Sequence, residues 1–162
     1  MPRHLPLALL LLLAPLSARA EAKGFFGVGP LVSVGAQDQA ISAGLGVEMS
    51  QYRVQRHHAL GFFQQAQVMN DGHFRLTGGL QATYVILGLE AGATYETGTK
   101  AYLPTAGLHL APHVSFFGYG AIGVRVSVPL TRRPEGDSDA ASRGPRGYEV
   151  GVVLTRKFPF EL

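Results

Sequence analysis

The sequence has no cysteine, few charged residues and, beyond its first twenty positions, no apolar residues repeating at helical spacing. The missing cysteine excludes disulfide bonds, thiolate metal sites, a cysteine nucleophile and a lipid-modified cysteine. The missing helical period argues against a helical domain. No basic stripe with interleaved aromatic residues is present either, so nucleic acid is not an expected partner.

The first twenty residues are predicted to be a signal peptide. A basic start at Arg3 and His4 is followed by a leucine-rich run at 5–16 and an A-x-A cleavage pattern at 18–20. The apolar run is shorter than the roughly 18 residues that a membrane-spanning helix needs. We therefore expect export and a mature chain of one domain, 21–162, with twelve basic and eleven acidic residues.

The mature chain consists of alternating apolar and polar residues, the pattern of β-strands with one apolar face. Two runs in 73–98 are joined only by Val85-Ile86, which predicts an antiparallel hairpin. With that turn, Arg75 lies directly opposite Glu96. Similar runs predict eight strands in all: 24–36, 40–53, 58–69, 73–84, 87–96, 101–111, 114–128 and 148–162.

Three places interrupt the regular strand pattern. Residues 62–65 break strict alternation, which suggests a β-bulge. Pro112 is expected to separate the sixth strand from the seventh. A long connection rich in Arg, Asp, Ser, Gly and Pro, at about 129–147, has no strand pattern and is expected to be exposed, mobile and solvated.

The polar faces carry mostly Gly, Ser, Thr and Gln, with about one charge per strand, whereas a surface facing water has roughly a quarter to a third charged residues. Small polar side chains suit the lumen of an eight-stranded barrel. The aromatic residues of the apolar face are expected in two belts flanking an aliphatic band, as at the two interfaces of a bilayer. One belt is Phe26, Phe62, Tyr84, Phe116, Phe158 and Phe160; the other is Phe74, Tyr95, Tyr102 and Tyr148.

This pattern predicts an all-β fold, an eight-stranded antiparallel up-and-down transmembrane barrel. The chain resembles the small eight-stranded outer-membrane proteins of the OmpA/OmpX type in architecture, without a motif-level match. That resemblance implies a bacterial outer-membrane location, the lipid bilayer and the assembly machinery as partners, and short turns on the periplasmic side. Leu89→Arg, on the lipid-facing side, is then expected to cost roughly 2–4 kcal/mol, and Gly92→Arg to overpack the lumen.

The expected role is non-enzymatic, structural or in surface interaction, without cofactor or metal. G-x-G-x-x-G at 118–123 lies in a strand pattern, not before the helix that nucleotide binding needs. His109 and His113 lack a third convergent ligand. Lumen charges at Arg75, Glu96, Arg125 and Glu149 are expected to pair, and reversing both Arg75 and Glu96 to recover much of the loss from either reversal.

Two alternatives remain. His113 and Ser115 form an H-x-S pair similar to the dyad of outer-membrane lipid A deacylases, in which serine is the nucleophile and histidine the base; a turn histidine beside a lumen serine is the simpler interpretation. A secreted soluble lipocalin-like carrier is the other alternative. Surface polysaccharide or a partner protein is expected to engage the long loop through Arg132, Arg133, Arg143 and Arg146.

Overall fold

The computed structural model describes residues 23–116, 118–132 and 143–162. The predicted signal peptide and Arg133 lie outside them. No described residue belongs to a helix long and apolar enough to cross a membrane. The strands are β1 (Lys23–Gln37), β2 (Ala40–Gln55), β3 (His58–Met69), β4 (Phe74–Tyr84), β5 (Leu87–Glu96), β6 (Thr105–Ser115), β7 (Gly120–Pro129), β8 (Glu149–Arg156) and β9 (Phe158–Glu161).

These strands close into an eight-stranded antiparallel barrel, as predicted. From β1 to β8 each strand pairs with the next in the chain, and β1 pairs with β2 on one side and with β8 and β9 on the other. The eighth strand of the barrel is thus divided into β8 and β9. The division falls at Lys157, whose backbone N–H donates to the carbonyl of Tyr119 (2.7 Å).

The register determines how strongly the strands tilt. Following paired residues once around the barrel from Phe26 returns to β1 at Ala36, ten residues further along. With ordinary strand spacings this stagger corresponds to a tilt of roughly 40°. The ends of the barrel are named as follows. The turn end holds turns 56–57 and 85–86, residues 116 and 118–119 and both ends of the described chain. The loop end holds connections 38–39, 70–73 and 97–104 and the described residues 130–132 and 143–148.

Side chains alternate between a polar lumen and an apolar outer surface. On β2, Ile41 and Leu45 are 73% and 65% exposed, whereas Ser42 and Glu48 are 6% and 0% exposed. The same division holds on the other strands, as the burial patterns show. The prediction that the polar parity faces inward is confirmed, and the barrel has an ionic interior with an aliphatic exterior.

Aromatic residues on the outer surface lie near the two ends. Phe74 and Tyr84 are ten residues apart at opposite ends of β4, and Tyr148 and Phe158 have the same spacing at the last strand. At about 3.4 Å per residue and a tilt of roughly 40°, this spacing corresponds to about 25 Å along the barrel axis. Phe26 pairs with Phe160 at the turn end. Tyr102, predicted in the other belt, lies instead in the connection 97–104 and is half-buried.

The irregular runs differ from prediction. Residues 62–65 contain no bulge, because the pairing of β3 with both neighbours continues through them without an extra residue. Phe63 points into the lumen against the ring of His109 (centroids 5.5 Å apart), and Gln64 points outward. β6 continues through Pro112 to Ser115, and the chain then turns, with Gly118 at φ of 84° and the Tyr119 N–H bonded to the carbonyl of Phe116.

Pro112 interrupts pairing on one side only. The β6–β7 pairing is continuous in register but omits Ala111 and Pro112, whereas Pro112 still pairs with Leu89 of β5. Proline lacks the N–H that would bond to β7. The missing N–H of Pro112 therefore removes one hydrogen bond between β6 and β7 without ending β6.

Gly92 is expected to tolerate no side chain. A Cβ at Gly92 would lie 2.1 Å from the carbonyl oxygen of Gly78, whereas one at Gly78 would have no atom closer than 3.6 Å. We expect Gly92→Ala to lower the free energy of unfolding by about 1–3 kcal/mol through overpacking. The matched control Gly78→Ala, on the outer face, is expected to be neutral or to stabilise by up to about 1 kcal/mol. Urea titration followed by gel mobility measures both, and equal effects would contradict this assignment of the faces.

Candidate functional site

The lumen holds a charge-balanced network of buried ionic side chains. Among the described residues, four cationic and four glutamate side chains point into the barrel, and none of these residues is more than 8% exposed: Arg75, Arg125, Arg146, Lys157, Glu48, Glu90, Glu96 and Glu149. Charges buried this deeply are tolerated only when they are paired and hydrogen-bonded. The strand alternation that places aliphatic residues outside puts the strand residues of this set inside, whereas Arg146 reaches the lumen from a connection.

Arg75 is the centre of the network near the loop end. Its Nε and Nη2 are each 2.7 Å from Oε1 of Glu96, and its Nη1 donates to Oε1 of Glu149 (3.0 Å). Nη2 also lies 2.6 Å from Oε2 of Glu149. Arg75 and Glu96 are direct register partners, as the two-residue turn at Val85-Ile86 predicts. Glu149 comes from β8 and accepts a further hydrogen bond from Ser42 (3.3 Å).

Arg125 lies further from the loop end than Arg75, and its guanidinium is held by the side-chain amides of two glutamines. Its Nη1 donates to Gln67 (2.7 Å), and its Nη2 donates to Gln65 (2.6 Å). Gln67 in turn donates to Ser33 (2.7 Å). The structure therefore brings together Arg75, Glu96 and Glu149 but places Arg125 among glutamine side chains.

Gln65 connects the part of the network near the loop end with the part nearer the turn end. While its oxygen accepts from Arg125, its Nε2 donates to Glu48 (3.0 Å) and Glu90 (3.2 Å). Lys157 forms an ion pair with Glu48, and His109 lies 3.6 Å from Glu90. The glutamines were not recognised as part of the network from sequence, because their partners lie across the barrel and no local pattern marks them.

The loop end carries a second cluster, formed by Asp71, His73, Tyr102 and Arg146. Asp71 accepts hydrogen bonds from Nδ1 of His73 and from Nη2 of Arg146 (2.7 Å for the latter). The Arg146 guanidinium lies 4.4 Å from the centre of the Tyr102 ring, and its Nε is 3.3 Å from Glu96. These residues border a cavity of about 210 Å³.

This cluster corrects the interpretation of the long loop. Arg146 was expected to be a solvated loop arginine, but it is 4% exposed. The adjoining backbone is bonded to the barrel, since Arg146 N–H donates to Thr105 (2.9 Å) and Gly147 N–H donates to Asp38 (2.9 Å). Residues 143–147 are thus docked rather than mobile. Arg132 is exposed and Arg143 is half-buried.

The pKa values of His73 and Asp71 are both lowered, for different reasons. Burial lowers the pKa of His73 below its ordinary 6.5, although the hydrogen bond to Asp71 acts in the opposite direction. Burial alone would raise the pKa of Asp71. The hydrogen bonds from His73 and Arg146 outweigh that effect and hold the pKa below its ordinary 3.8.

Stability is therefore expected to fall in acid in two stages. The unfolded chain protonates its histidine below pH 6.5 while folded His73 resists, so the free energy of unfolding decreases as pH falls from 6.5 toward the folded pKa. A second decrease begins near pH 3.8, where the unfolded aspartate takes up its proton before folded Asp71 does. His73→Gln is expected to reduce the first decrease and Asp71→Asn the second, measured as urea midpoints across pH. Parallel curves for wild type and His73→Gln would contradict this.

His113 and Ser115 both face the lumen at the turn end. They border a cavity of about 460 Å³, and their spacing on β6 puts them on one face. The polar contact of His113 among the described residues runs from Nδ1 to the carbonyl of Ala111 (3.3 Å), with no hydrogen bond to Ser115. The described residues contain no group of three or more His, Asp or Glu placed to hold a metal ion.

Comparison with known proteins adds no family to this description. No family model, curated protein or solved structure matches the chain. The functional interpretation therefore depends on the chain's own surface, lumen and cavities.

Proposed function

We propose that this protein is an integral barrel of the bacterial outer membrane, with a non-enzymatic role exercised through its loop end. The observation that carries the proposal is the inverted distribution of polarity. Aliphatic side chains cover the outside of the barrel, while eight charged side chains are buried inside it. Large contiguous apolar surfaces on soluble proteins are rare, whereas a bilayer requires one.

The same distribution disfavours a soluble carrier. A lipocalin-like carrier needs an apolar interior for its ligand. Here the middle of the lumen is occupied by the network around Arg75, Arg125 and Gln65. The middle of the barrel, where a lipocalin-like carrier would hold its ligand, is therefore filled by ionic and amide side chains.

The dimensions of the outer surface fit a bilayer. The aromatic belts are about 25 Å apart, the height of the apolar band in outer-membrane barrels. At the turn end, the guanidinium of Arg156 lies 5.4 Å from the centre of the Phe158 ring. An arginine beside an aromatic ring is typical of the membrane interface, where the charge reaches water while the stem stays in the apolar layer.

The loop end is the side proposed to face the outside. It carries the longer connections, and both ends of the described chain lie at the turn end. Arg132 and Arg143, with Arg133, are proposed to engage anionic groups of a surface polysaccharide or partner protein, since loops on rigid scaffolds commonly carry recognition. Phe158 and Phe160, both exposed on β9, are proposed as contacts for the assembly machinery.

Membrane fractionation combined with gel mobility tests the proposal. The full chain expressed in a Gram-negative host is expected in the outer-membrane fraction after an alkaline wash. It is also expected to shift in mobility when boiled, because a closed barrel resists detergent until heated. Recovery in the soluble periplasmic fraction would contradict the proposal.

A loop replacement tests the proposed role separately. Replacing residues 132–143 with a short Gly-Ser linker removes Arg132, Arg133 and Arg143 but keeps Arg146 and its contacts to Asp71 and Glu96. The variant is expected to fold and to remain heat-modifiable but to lose salt-sensitive binding to cells or surface polysaccharide. Unchanged binding would refute the role of the loop while leaving the barrel proposal standing.

A further inference from the structure

The turn end of the lumen differs from the rest of it. A cavity of about 460 Å³ lies there, within the range of small-molecule sites. Part of its wall is aromatic, since Phe25 and Tyr52 face inward and stack on each other, with ring centroids 5.7 Å apart and planes inclined by 20°. This cavity, named here the vestibule, is bounded below by Lys157 and flanked by His113 and Ser115.

The charges around the vestibule have one sign. Arg56 and Lys157 border it, three histidines add imidazole groups that can donate hydrogen bonds, and none of its lining residues is a carboxylic acid. Glu48, the ion-pair partner of Lys157, is not among the lining residues. An anion entering the vestibule therefore meets cationic groups without facing a carboxylate in the wall.

The chain makes room for His113 on both neighbouring strands. Gly88 of β5 and Gly123 of β7 are its register partners. A Cβ at Gly88 would lie 2.0 Å from Nε2 of His113, and one at Gly123 would lie 2.7 Å from its Cβ. Glycine weakens strands. At these two positions it leaves the space that the imidazole occupies, which the side chain of any larger residue would fill.

We propose that the vestibule binds a small organic acid whose apolar body packs on Phe25 and Tyr52 and whose carboxylate faces Lys157, His113 and Arg56. Aromatic walls supply affinity for the apolar part, and a few convergent polar groups orient the anion. The site uses side chains of the turn end alone. Its occupancy consequently does not depend on the proposed membrane location or on the loop-end role.

Fluorine NMR of para-fluorobenzoate added to the full-length mature protein in zwitterionic detergent tests the proposal. Saturable binding is expected, and the neutral analogue para-fluorobenzamide should bind about tenfold more weakly because it lacks the charge. Ser115→Phe fills the vestibule and is expected to abolish binding. Val114→Phe adds the same ring to the outer face of the same strand and is expected to leave binding unchanged, while any partition into micelles is common to all samples.

Three results would overturn the proposal: no saturable binding of the acid, equal binding of acid and amide, or unchanged binding by folded Ser115→Phe. If Ser115→Phe does not fold, Arg56→Asn decides the question, because asparagine tolerates the left-handed backbone at this turn (φ 54°). About fivefold weaker binding by Arg56→Asn supports the proposal. Unchanged binding by Arg56→Asn, relative to the outer-face control Arg53→Asn, refutes it.

Discussion

Leu154→Arg is expected to lower the free energy of unfolding in lipid by about 2–4 kcal/mol, whereas Leu87→Arg is expected to cost about 0–1 kcal/mol. Both leucines are exposed on the outer surface. Leu154 lies between Tyr148 and Phe158, near the middle of the apolar band, and Leu87 begins β5 beside the turn. The substitution is identical, so depth in the bilayer accounts for the difference.

Leu89→Arg is expected to fall between these values, below the roughly 2–4 kcal/mol expected from the sequence. The structure places Leu89 only two residues from Leu87 along β5 and opposite Pro112, closer to the turn end than to the middle of the band. Urea titration in vesicles, with the unboiled gel mobility reporting the folded fraction, measures the series. A surface in contact with water would tolerate all three changes within about 0.5 kcal/mol. A flat series would therefore contradict the membrane assignment, and a graded one supports it.

Removing the Arg75 side chain is expected to produce the largest loss within the lumen. Arg75 is fully buried, and Arg75→Gln leaves Glu96 and Glu149 without their common cation. Breaking a buried ion pair from one side costs about 3–5 kcal/mol. Arg53→Gln, which removes an exposed arginine from the outer face, is the matched control and is expected to change stability by less than about 0.5 kcal/mol.

The double variant tests whether Arg75 and Glu96 act together. Arg75→Gln with Glu96→Gln is expected to lose at least about 1 kcal/mol less than the two single losses combined. Additive losses would contradict the contact. The structure also changes the expectation for charge reversal: a carboxylate at position 75 would face Glu149, so reversing both residues is expected to recover only part of either loss.

The sequence predicts local pairing well because alternation and turn length act between neighbours. The two-residue turn Val85-Ile86 makes Tyr84 and Leu87 register partners. Counting back along the hairpin from that pair makes Arg75 the partner of Glu96. Val85 adopts φ of 57°, an uncommon conformation for a β-branched residue. The alternation that defines the two faces overrides this local preference.

The parts that could not be predicted depend on contacts across the barrel. Arg146 follows a segment without strand pattern, and only closure of the barrel brings Asp71, Tyr102 and Glu96 around it. Pro112 marked the wrong boundary because its missing N–H affects only the β7 side. Phe63 looked irregular because the lumen accepts an aromatic ring beside His109, which no neighbour in sequence indicates.

Cysteine labelling in intact cells tests the central proposal most directly, and the chain contains no native cysteine to interfere. Single variants Lys100→Cys at the loop end, His57→Cys at the turn end and Leu154→Cys on the outer surface are treated with a membrane-impermeant maleimide. The proposal predicts labelling at position 100 only, labelling at 57 after the outer membrane is permeabilised, and protection at 154 until the bilayer is dissolved and the chain unfolded. Labelling of position 154 as fast as position 100 would contradict a transmembrane barrel.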